Sequence, residues 1–88
     1  MYEIHLDRIS QKAIDKGMMS DNELSDILID YLDFLEGKDL NIDIKKLGGK
    51  WRDCIRIRKG EIRIIIHVDY KGQSISVRRI SLRKDAYR

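Results

Sequence analysis

Arginines and one tyrosine in the second half of the chain are the residues whose type and spacing indicate chemistry. They are Arg56, Arg58, Arg63, Arg78, Arg79, Arg83 and Tyr87. Because side chains of a β-strand alternate between its two faces, Arg56 and Arg58 are predicted to share one face of their strand. A sheet that carries several guanidinium groups on one face suits a polyanion. For any single arginine, a simply solvated surface position is the alternative interpretation.

Three runs rich in β-branched residues carry these arginines. The runs are Ile55–Arg58, Glu61–Val68 and Ser74–Leu82, and the pairs Lys59-Gly60 and Lys71-Gly72 separate them. β-Branched residues favour a pleated sheet, and glycine accepts the positive φ of a tight hairpin turn. The pattern therefore predicts an antiparallel three-strand meander.

The last of these runs changes phase along its length. Ile75 and Val77 are in phase with Arg79, which would then face the core, whereas Ile80 and Leu82 follow the opposite phase. One extra residue in a strand produces such a shift. We therefore expect a β-bulge near Arg78-Arg79.

The first half of the chain contains the elements that would cover this sheet. Tyr2–Leu6 alternates like a strand, and Asp7–Lys16 has helical spacing and ends before Gly17. A second helix is predicted to begin at Ser20, because Ser20 and Glu23 have the spacing of a capping box. Its apolar stripe consists of Leu24, Ile27, Leu28, Tyr31, Leu32 and Leu35.

These elements predict one α+β domain over residues 1–88. An N-terminal strand and two helices precede the three-strand antiparallel meander, and the strands form one twisted sheet with the helices on one face. Leu40–Ile44 is expected to be an extended link that runs back to the sheet. The aspartates of the second helix are interpreted as a solvated face, and neither a metal site nor a cofactor is expected.

The segment before the meander, Lys45–Arg52, places four cations beside Gly48, Gly49 and Trp51. Two glycines can form a backbone nest for phosphate, and an indole can stack on a base. A Trp51 that fills the core at the entrance of the strand is the alternative. The segment lacks the spacing of a P-loop, so it does not indicate a nucleoside triphosphate site.

Charge is divided unevenly along the 88 residues. Residues 1–44 carry four basic and eleven acidic residues, a net charge of −7, whereas residues 45–88 carry fourteen basic and four acidic residues, a net charge of +10. Such separation is typical of a nucleic-acid-binding surface. The single cysteine, Cys54, and the lack of an apolar run of about 20 residues predict a cytoplasmic protein without a membrane segment.

Four pieces of the sequence, in this order, resemble motifs of the RelE/ParE toxin superfamily, specifically the RelE-like ribosome-dependent mRNA interferases of type II toxin–antitoxin systems. They are Lys46-Leu47-Gly48-Gly49, the strand 53–58, the segment Gly60-Glu61-Ile62-Arg63-Ile64-Ile65, and the tail 80–88 with its Arg83-x-x-x-Tyr87 pattern. The similarity covers residues 45–88 well, and it covers the N-terminal strand–helix–helix by pattern alone.

The resemblance implies a RelE-like fold and an endoribonuclease that cuts mRNA in the ribosomal A site through attack of a ribose 2′-OH on the adjacent phosphate. The residues it implies as catalytic are Arg56, Arg58, Arg63, Arg83 and Tyr87. Arg63 and Arg83 would clamp the phosphate, and Tyr87 would position or deprotonate the nucleophile. Surrounding cations expected to bind RNA are Lys45, Lys46, Lys50, Arg52, Lys59, Arg78, Arg79, Lys84 and Arg88. The implied partners are a cognate antitoxin protein and mRNA on the ribosome, with contacts to 16S rRNA.

The general base is where this sequence departs from the family. Arg56 and Arg58 stand where many relatives carry lysines, and a guanidinium group is a poor proton acceptor because it stays protonated. Tyr87 is the first candidate for the base. Further candidates are Lys59, Lys84 and Asp85, while His67 is interpreted as a strand residue packed near Arg63.

Two other functions are compatible with the same fold. A ParE-like inhibitor of DNA gyrase is one, although the Arg83-x-x-x-Tyr87 tail argues against it because ParE toxins generally lack the tyrosine. A non-catalytic RNA-binding or ribosome-binding module is the other, and the missing lysines favour it.

Overall fold

The structure is a computed structural model that describes residues 2–82. Its elements are β1 (Glu3–Leu6), α1 (Arg8–Asp15), α2 (Asp21–Leu35), β2 (Asp43–Lys46), β3 (Cys54–Lys59), β4 (Ile62–Asp69) and β5 (Ser74–Leu82), with a short 3-10 turn at Gly49–Trp51. The strands form one sheet in the order β1-β5-β4-β3-β2. β1 pairs with β5 in parallel, and the other neighbours are antiparallel.

The predicted α+β architecture is confirmed, and the sheet has one strand more than predicted. The meander is β3-β4-β5, and the N-terminal strand and both helices precede it. Part of the expected link forms β2, in which Ile44 lies opposite Ile57. Its neighbours Asp43 and Lys45 lie opposite Arg58 and Arg56. The sheet is therefore mixed and five-stranded.

Both helices cover one face of the sheet, which we call the back face, and its buried side chains are Ile57, Ile64, Ile66, Ile75, Val77 and Ile80. From α2, Leu24, Ile27, Leu28 and Tyr31 pack against them and are at most 3% exposed. α2 begins with the predicted capping box: Glu23 N donates to Ser20 Oγ at 3.1 Å, and Ser20 N donates to Glu23 Oε1 at 3.0 Å. Among residues 2–82, no helix has the length and apolar character needed to cross a membrane.

The two hairpins of the meander use their glycines differently. Gly60, between β3 and β4, has the predicted positive φ of 60°. Between β4 and β5 the positive φ, 53°, belongs to Gln73, so the prediction for Gly72 is wrong. Gly72 is required for a close approach instead: its N donates to Asp69 Oδ1 at 2.9 Å, and a Cβ there would lie 2.5 Å from Asp69 Oδ2.

Tyr31 brings a hydroxyl group to the margin of the core. Its side chain is 2% exposed, and its hydroxyl oxygen lies 2.9 Å from that of Tyr70, which is exposed. Burial, and secondly the hydrogen bond with Tyr70, raises the pKa of Tyr31 above its ordinary value of 10. The folded state therefore favours the neutral phenol.

Alkaline pH is expected to destabilise the fold through Tyr31. Because its pKa is higher in the folded than in the unfolded chain, its contribution is fully present below pH 10 and is lost as the pH rises from there towards the folded-state pKa. Tyr31→Phe should make the free energy of unfolding fall less steeply above this pH, as measured by urea titration at several pH values. An equally steep fall in both proteins would contradict the assignment.

Candidate nucleic-acid interface

Strand register gathers four of the arginines predicted from the sequence on the face opposite the helices, which we call the front face. Arg58 lies directly opposite Arg63, and Arg56 lies opposite Ile65. Arg79 lies opposite Ile65 from the other side. Two rows therefore cross the front face: Asp43, Arg58, Arg63 and Ser81 in one, and Lys45, Arg56, Ile65 and Arg79 in the next. We call Arg56, Arg58, Arg63 and Arg79 the arginine patch.

The bulge predicted near Arg78-Arg79 brings Arg79 into this patch. Ile65 pairs with Arg79 and Ile66 with Val77, so Arg78 is the extra residue of β5. The extra residue reverses the alternation, and Arg79 turns to the front face while Ile80 is buried at 6% exposure. Without the bulge, Arg79 would face the core.

Two contacts from the start of α1 hold the strand just before the bulge. Asp7 N and Ser10 Oγ both donate to the carbonyl oxygen of Val77, at 3.2 and 3.0 Å. Asp7 also accepts from Ser10 N at 2.8 Å as the N-cap of α1. The helix cap and the strand irregularity therefore stabilise each other.

Placing Arg58 directly opposite Arg63 works against stability. Like charges at directly opposed positions of neighbouring strands repel each other, whereas opposite charges or β-branched pairs would stabilise the sheet there. A phosphate bound between two guanidinium groups removes that repulsion and accepts hydrogen bonds from both. The arrangement thus suits the binding of an anion.

Asp43 is a residue of this site that sequence reasoning missed. Its Oδ1 accepts from Arg56 Nη2 at 2.9 Å, and its Oδ2 accepts from Arg58 Nε at 3.0 Å and lies 2.9 Å from Arg58 Nη2. The side chains of Arg56 and Arg58 are 16% and 27% exposed, whereas Asp43 is 43% exposed. The alternation of Ile42 and Ile44 was the available signal, because it puts Asp43 on the other face. The pairing of β2 with β3 could not be read from it.

Trp51 lies against the arginine patch, so the alternative that placed it in the core is wrong. Arg79 Cζ is 5.0 Å from the centre of the indole, and Lys50 Nζ is 5.7 Å from it. Arg79 Nη1 also donates to Asp7 Oδ2 at 3.2 Å and to the carbonyl oxygen of Arg78 at 2.6 Å. Cation–π attraction and the ion pair together fix the Arg79 guanidinium.

The other cations predicted to bind RNA are spread more widely. Lys45 lies opposite Arg56 in the front-face row, while the adjacent Lys46 lies opposite Ile55 on the other side of β2. Arg52 is exposed, as is Arg78, whose Nε is 3.9 Å from Asp7 Oδ2. Arg83, Lys84, Asp85, Tyr87 and Arg88 lie outside the described residues.

One candidate for the general base, Lys59, is within the described residues. It follows Arg58 in β3, but its side chain points to the opposite face of the sheet, towards α2. Lys59 lies at the end of β3, and its Nζ is 3.4 Å from Asp30 Oδ2 of α2. His67 is on the front face, opposite Cys54 and Ser76, and Ile65 separates it from Arg63. Between positions 2 and 82, no group of three or more histidines, cysteines or carboxylates is arranged to hold a metal ion.

Comparison with solved structures identifies the fold. No protein-family model matches the sequence, and no curated protein matches it significantly. A chain of the RelB–RelE antitoxin–toxin complex from Methanococcus jannaschii is 28% identical over 94% of both chains, with a TM-score of 0.59. A copper-bound toxin variant from Helicobacter pylori is 19% identical over 97% of this chain and 98% of that one, with a TM-score of 0.69.

A YafQ variant from Escherichia coli is similar in structure over the full length of both chains. It is 12% identical, covers 100% of each chain and has a TM-score of 0.65. Similarity over nearly the whole of each chain shows that these proteins share one overall fold. The chain studied here therefore has the RelE-like toxin fold.

Proposed function

We propose that this protein is the toxin of a type II toxin–antitoxin pair and a ribosome-dependent endoribonuclease that cleaves mRNA. The observation that carries the proposal is the pairing of Arg58 with Arg63 on the front face, with Arg56 and Arg79 beside them. Like charges at directly opposed positions do not stabilise a sheet. The RelB–RelE complex among the similar structures supports the toxin role.

Cleavage requires three contributions at one phosphate. The ribose 2′-OH gives up a proton and attacks the adjacent phosphorus, a phosphorane with additional negative charge forms, and the 5′-oxygen leaves and takes up a proton. The products are a 2′,3′-cyclic phosphate and a free 5′-hydroxyl. Guanidinium groups supply the second contribution, because their N–H groups match the phosphate oxygens and their charge is permanent.

The resemblance of the sequence to RelE-like toxins assigns the remaining roles. Arg63 and Arg83 bind the scissile phosphate, and Arg56 and Arg58 stabilise the developing charge. Tyr87 positions the 2′-OH or accepts its proton, and it is the first candidate for the general base. The ribosome holds the A-site nucleotides in line for attack.

A toxin of this kind requires a neutralising protein in the same cytoplasm. The arginine patch and the surrounding cations give residues 45–88 a net charge of +10. An antitoxin segment with acidic side chains, laid across the front face, would offset this charge and block access of RNA.

Induced expression in bacterial cells, followed by mapping of mRNA 5′ ends on ribosomes, tests the proposal. We expect growth arrest together with new 5′ ends within A-site codons. Tyr87→Phe should reduce cleavage by about 100-fold or more, because it removes a proton acceptor. Circular dichroism of the purified variant checks that the fold is retained.

Other outcomes of the same experiment would overturn the proposal. DNA damage without mRNA cleavage would indicate a ParE-like inhibitor of gyrase. Salt-dependent binding to ribosomes without any cyclic-phosphate product would indicate a non-catalytic binding module. Full cleavage by the Tyr87→Phe variant would remove Tyr87 from the mechanism.

A further inference from the structure

We infer that Asp43 is a resident anion of the arginine patch, which an RNA phosphate must displace in order to bind, and that Asp43 thereby sets the affinity for RNA. This inference rests on the proposed function. Asp43 belongs to β2, outside the motifs that resemble the toxin family, and it is the last acidic residue of the acidic half of the chain.

Asp43 contacts Arg56 and Arg58 in the way that a phosphate group would. Asp43 gives one carboxylate oxygen to each arginine, at 2.9 Å to Arg56 Nη2 and at 3.0 Å to Arg58 Nε. A phosphodiester also presents two unesterified oxygens and a single negative charge, and the N–H groups of arginine bind both kinds of anion. The same N–H groups therefore suit Asp43 and an RNA phosphate.

The exposed fractions of the three side chains show that Asp43, and not Arg56 or Arg58, can move out of the contact. Arg56 and Arg58 are 16% and 27% exposed, so the surrounding side chains fix their positions. Asp43 is 43% exposed and, within residues 2–82, lies on an edge strand of the sheet, next to β3. A rotation about its side-chain bonds takes the carboxylate into water, where its charge is well solvated.

The charges of the arginine patch favour competition between Asp43 and an RNA phosphate over a purely structural role of Asp43. Asp43 contacts Arg56 and Arg58, but the opposed pair that repels most directly is Arg58 and Arg63. The carboxylate thus neutralises part of the charge of Arg56 and Arg58 in the absence of RNA. When an RNA phosphate replaces the Asp43 carboxylate, Arg56 and Arg58 have an anionic partner both before and after RNA binds.

The two roles make opposite predictions for RNA binding. If Asp43 competes with phosphate, a neutral residue at position 43 exposes one more positive charge to RNA and tightens binding. If Asp43 only holds the two arginines in place, the same change lets them separate and weakens binding. Stability measurements cannot distinguish these roles, because both predict that the loss of Asp43 destabilises the fold.

The test is the affinity of the full chain for a short single-stranded 2′-O-methyl RNA, which cannot be cleaved because it has no free 2′-OH. Asp43→Asn should tighten binding by about tenfold at low salt. Between about 50 and 200 mM salt, the plot of log K against log salt should be steeper by at most about 0.7, because the variant lacks the displaced carboxylate whose charge offsets one phosphate contact in the wild type. Asp43→Thr, a second neutral residue that suits a strand, should behave in the same way.

Two variants serve as controls. Asp33→Asn changes the net charge equally but lies on α2, where Asp33 contacts Lys38 at 3.3 Å, and it should leave the salt dependence at the wild-type value. Asp43→Glu keeps the charge and should also retain that value. Unchanged or weaker binding by both neutral variants at position 43 would overturn the inference.

Failure of the inference is distinguishable from failure of the proposed function. If the wild-type chain binds this RNA and Arg63→Ala weakens the binding, whereas Asp43→Asn leaves it unchanged, only the role of Asp43 is refuted. If the wild-type chain does not bind this RNA, or if Arg63→Ala binds it equally well, the inference about Asp43 fails. The proposed function is decided separately, by whether the wild-type chain cleaves mRNA on ribosomes.

Discussion

Arg63→Ala is expected to lower the rate of mRNA cleavage on the ribosome by about 100-fold or more. Arg63 lies at the centre of the front face, directly opposite Arg58 and Ser81. Removal of one pre-organised donor to the charge that develops in a transition state typically reduces the rate by about 10²- to 10³-fold. Single-turnover cleavage of mRNA on purified ribosomes measures the effect directly.

Arg63→Lys separates charge from geometry at the same position. A lysine keeps the positive charge but cannot offer two parallel N–H donors to a phosphate, so its rate should lie between those of the wild type and Arg63→Ala. Arg8→Ala is the matched control, since Arg8 is an exposed arginine at the start of α1. Both arginine-to-alanine variants should melt close to the wild-type temperature. Equal cleavage by Arg63→Ala and Arg8→Ala would exclude Arg63 from contact with the phosphate.

Ile64→Ala is expected to lower the free energy of unfolding by about 2–5 kcal/mol. Ile64 is 0% exposed and lies between Ile57 and Ile80 on the back face, immediately next to Arg63 in β4. A domain of this size is stable by about 5–15 kcal/mol, so the variant should lose a large fraction of its stability. Urea titration followed by circular dichroism gives the value.

Two further substitutions test whether packing is the cause of that loss. Ile64→Val removes one methylene group and should lower the free energy of unfolding by only about 0.5–1.5 kcal/mol. Ile9→Ala changes an isoleucine that is 50% exposed, and its effect should stay within about 0.5 kcal/mol. If Ile64→Ala were no more destabilising than Ile9→Ala, β4 would not have the buried back face described here.

Local patterns in the sequence were sufficient to predict the helices and to predict which residues lie on each face of the meander. Ser20 and Glu23 predicted the start of α2 because a capping box depends on residues three positions apart. The alternation in β4 predicted a back face with Ile64 and a front face with Arg63, because the side-chain period of a strand is two. The change of phase in β5 predicted a bulge near Arg78-Arg79 for the same reason.

Features that depend on pairing between distant strands could not be predicted in this way. Asp43 meets Arg56 and Arg58 only because β2 pairs with β3 in one particular register. Trp51 meets Arg79 across the front face, although 28 positions separate them in the chain. Sequence patterns predict the local structure of a segment, whereas these contacts depend on how distant segments pack together.

The most direct test of the account is cleavage of an mRNA that has a single 2′-deoxynucleotide at the mapped cleavage position in the ribosomal A site. We predict that the wild-type protein cuts the all-ribose mRNA on ribosomes and leaves a 2′,3′-cyclic phosphate. The single deoxy substitution should abolish the cut at that position. Efficient cleavage of the deoxy-substituted mRNA at the same position would contradict the account, since no 2′-OH would be present to attack the phosphate.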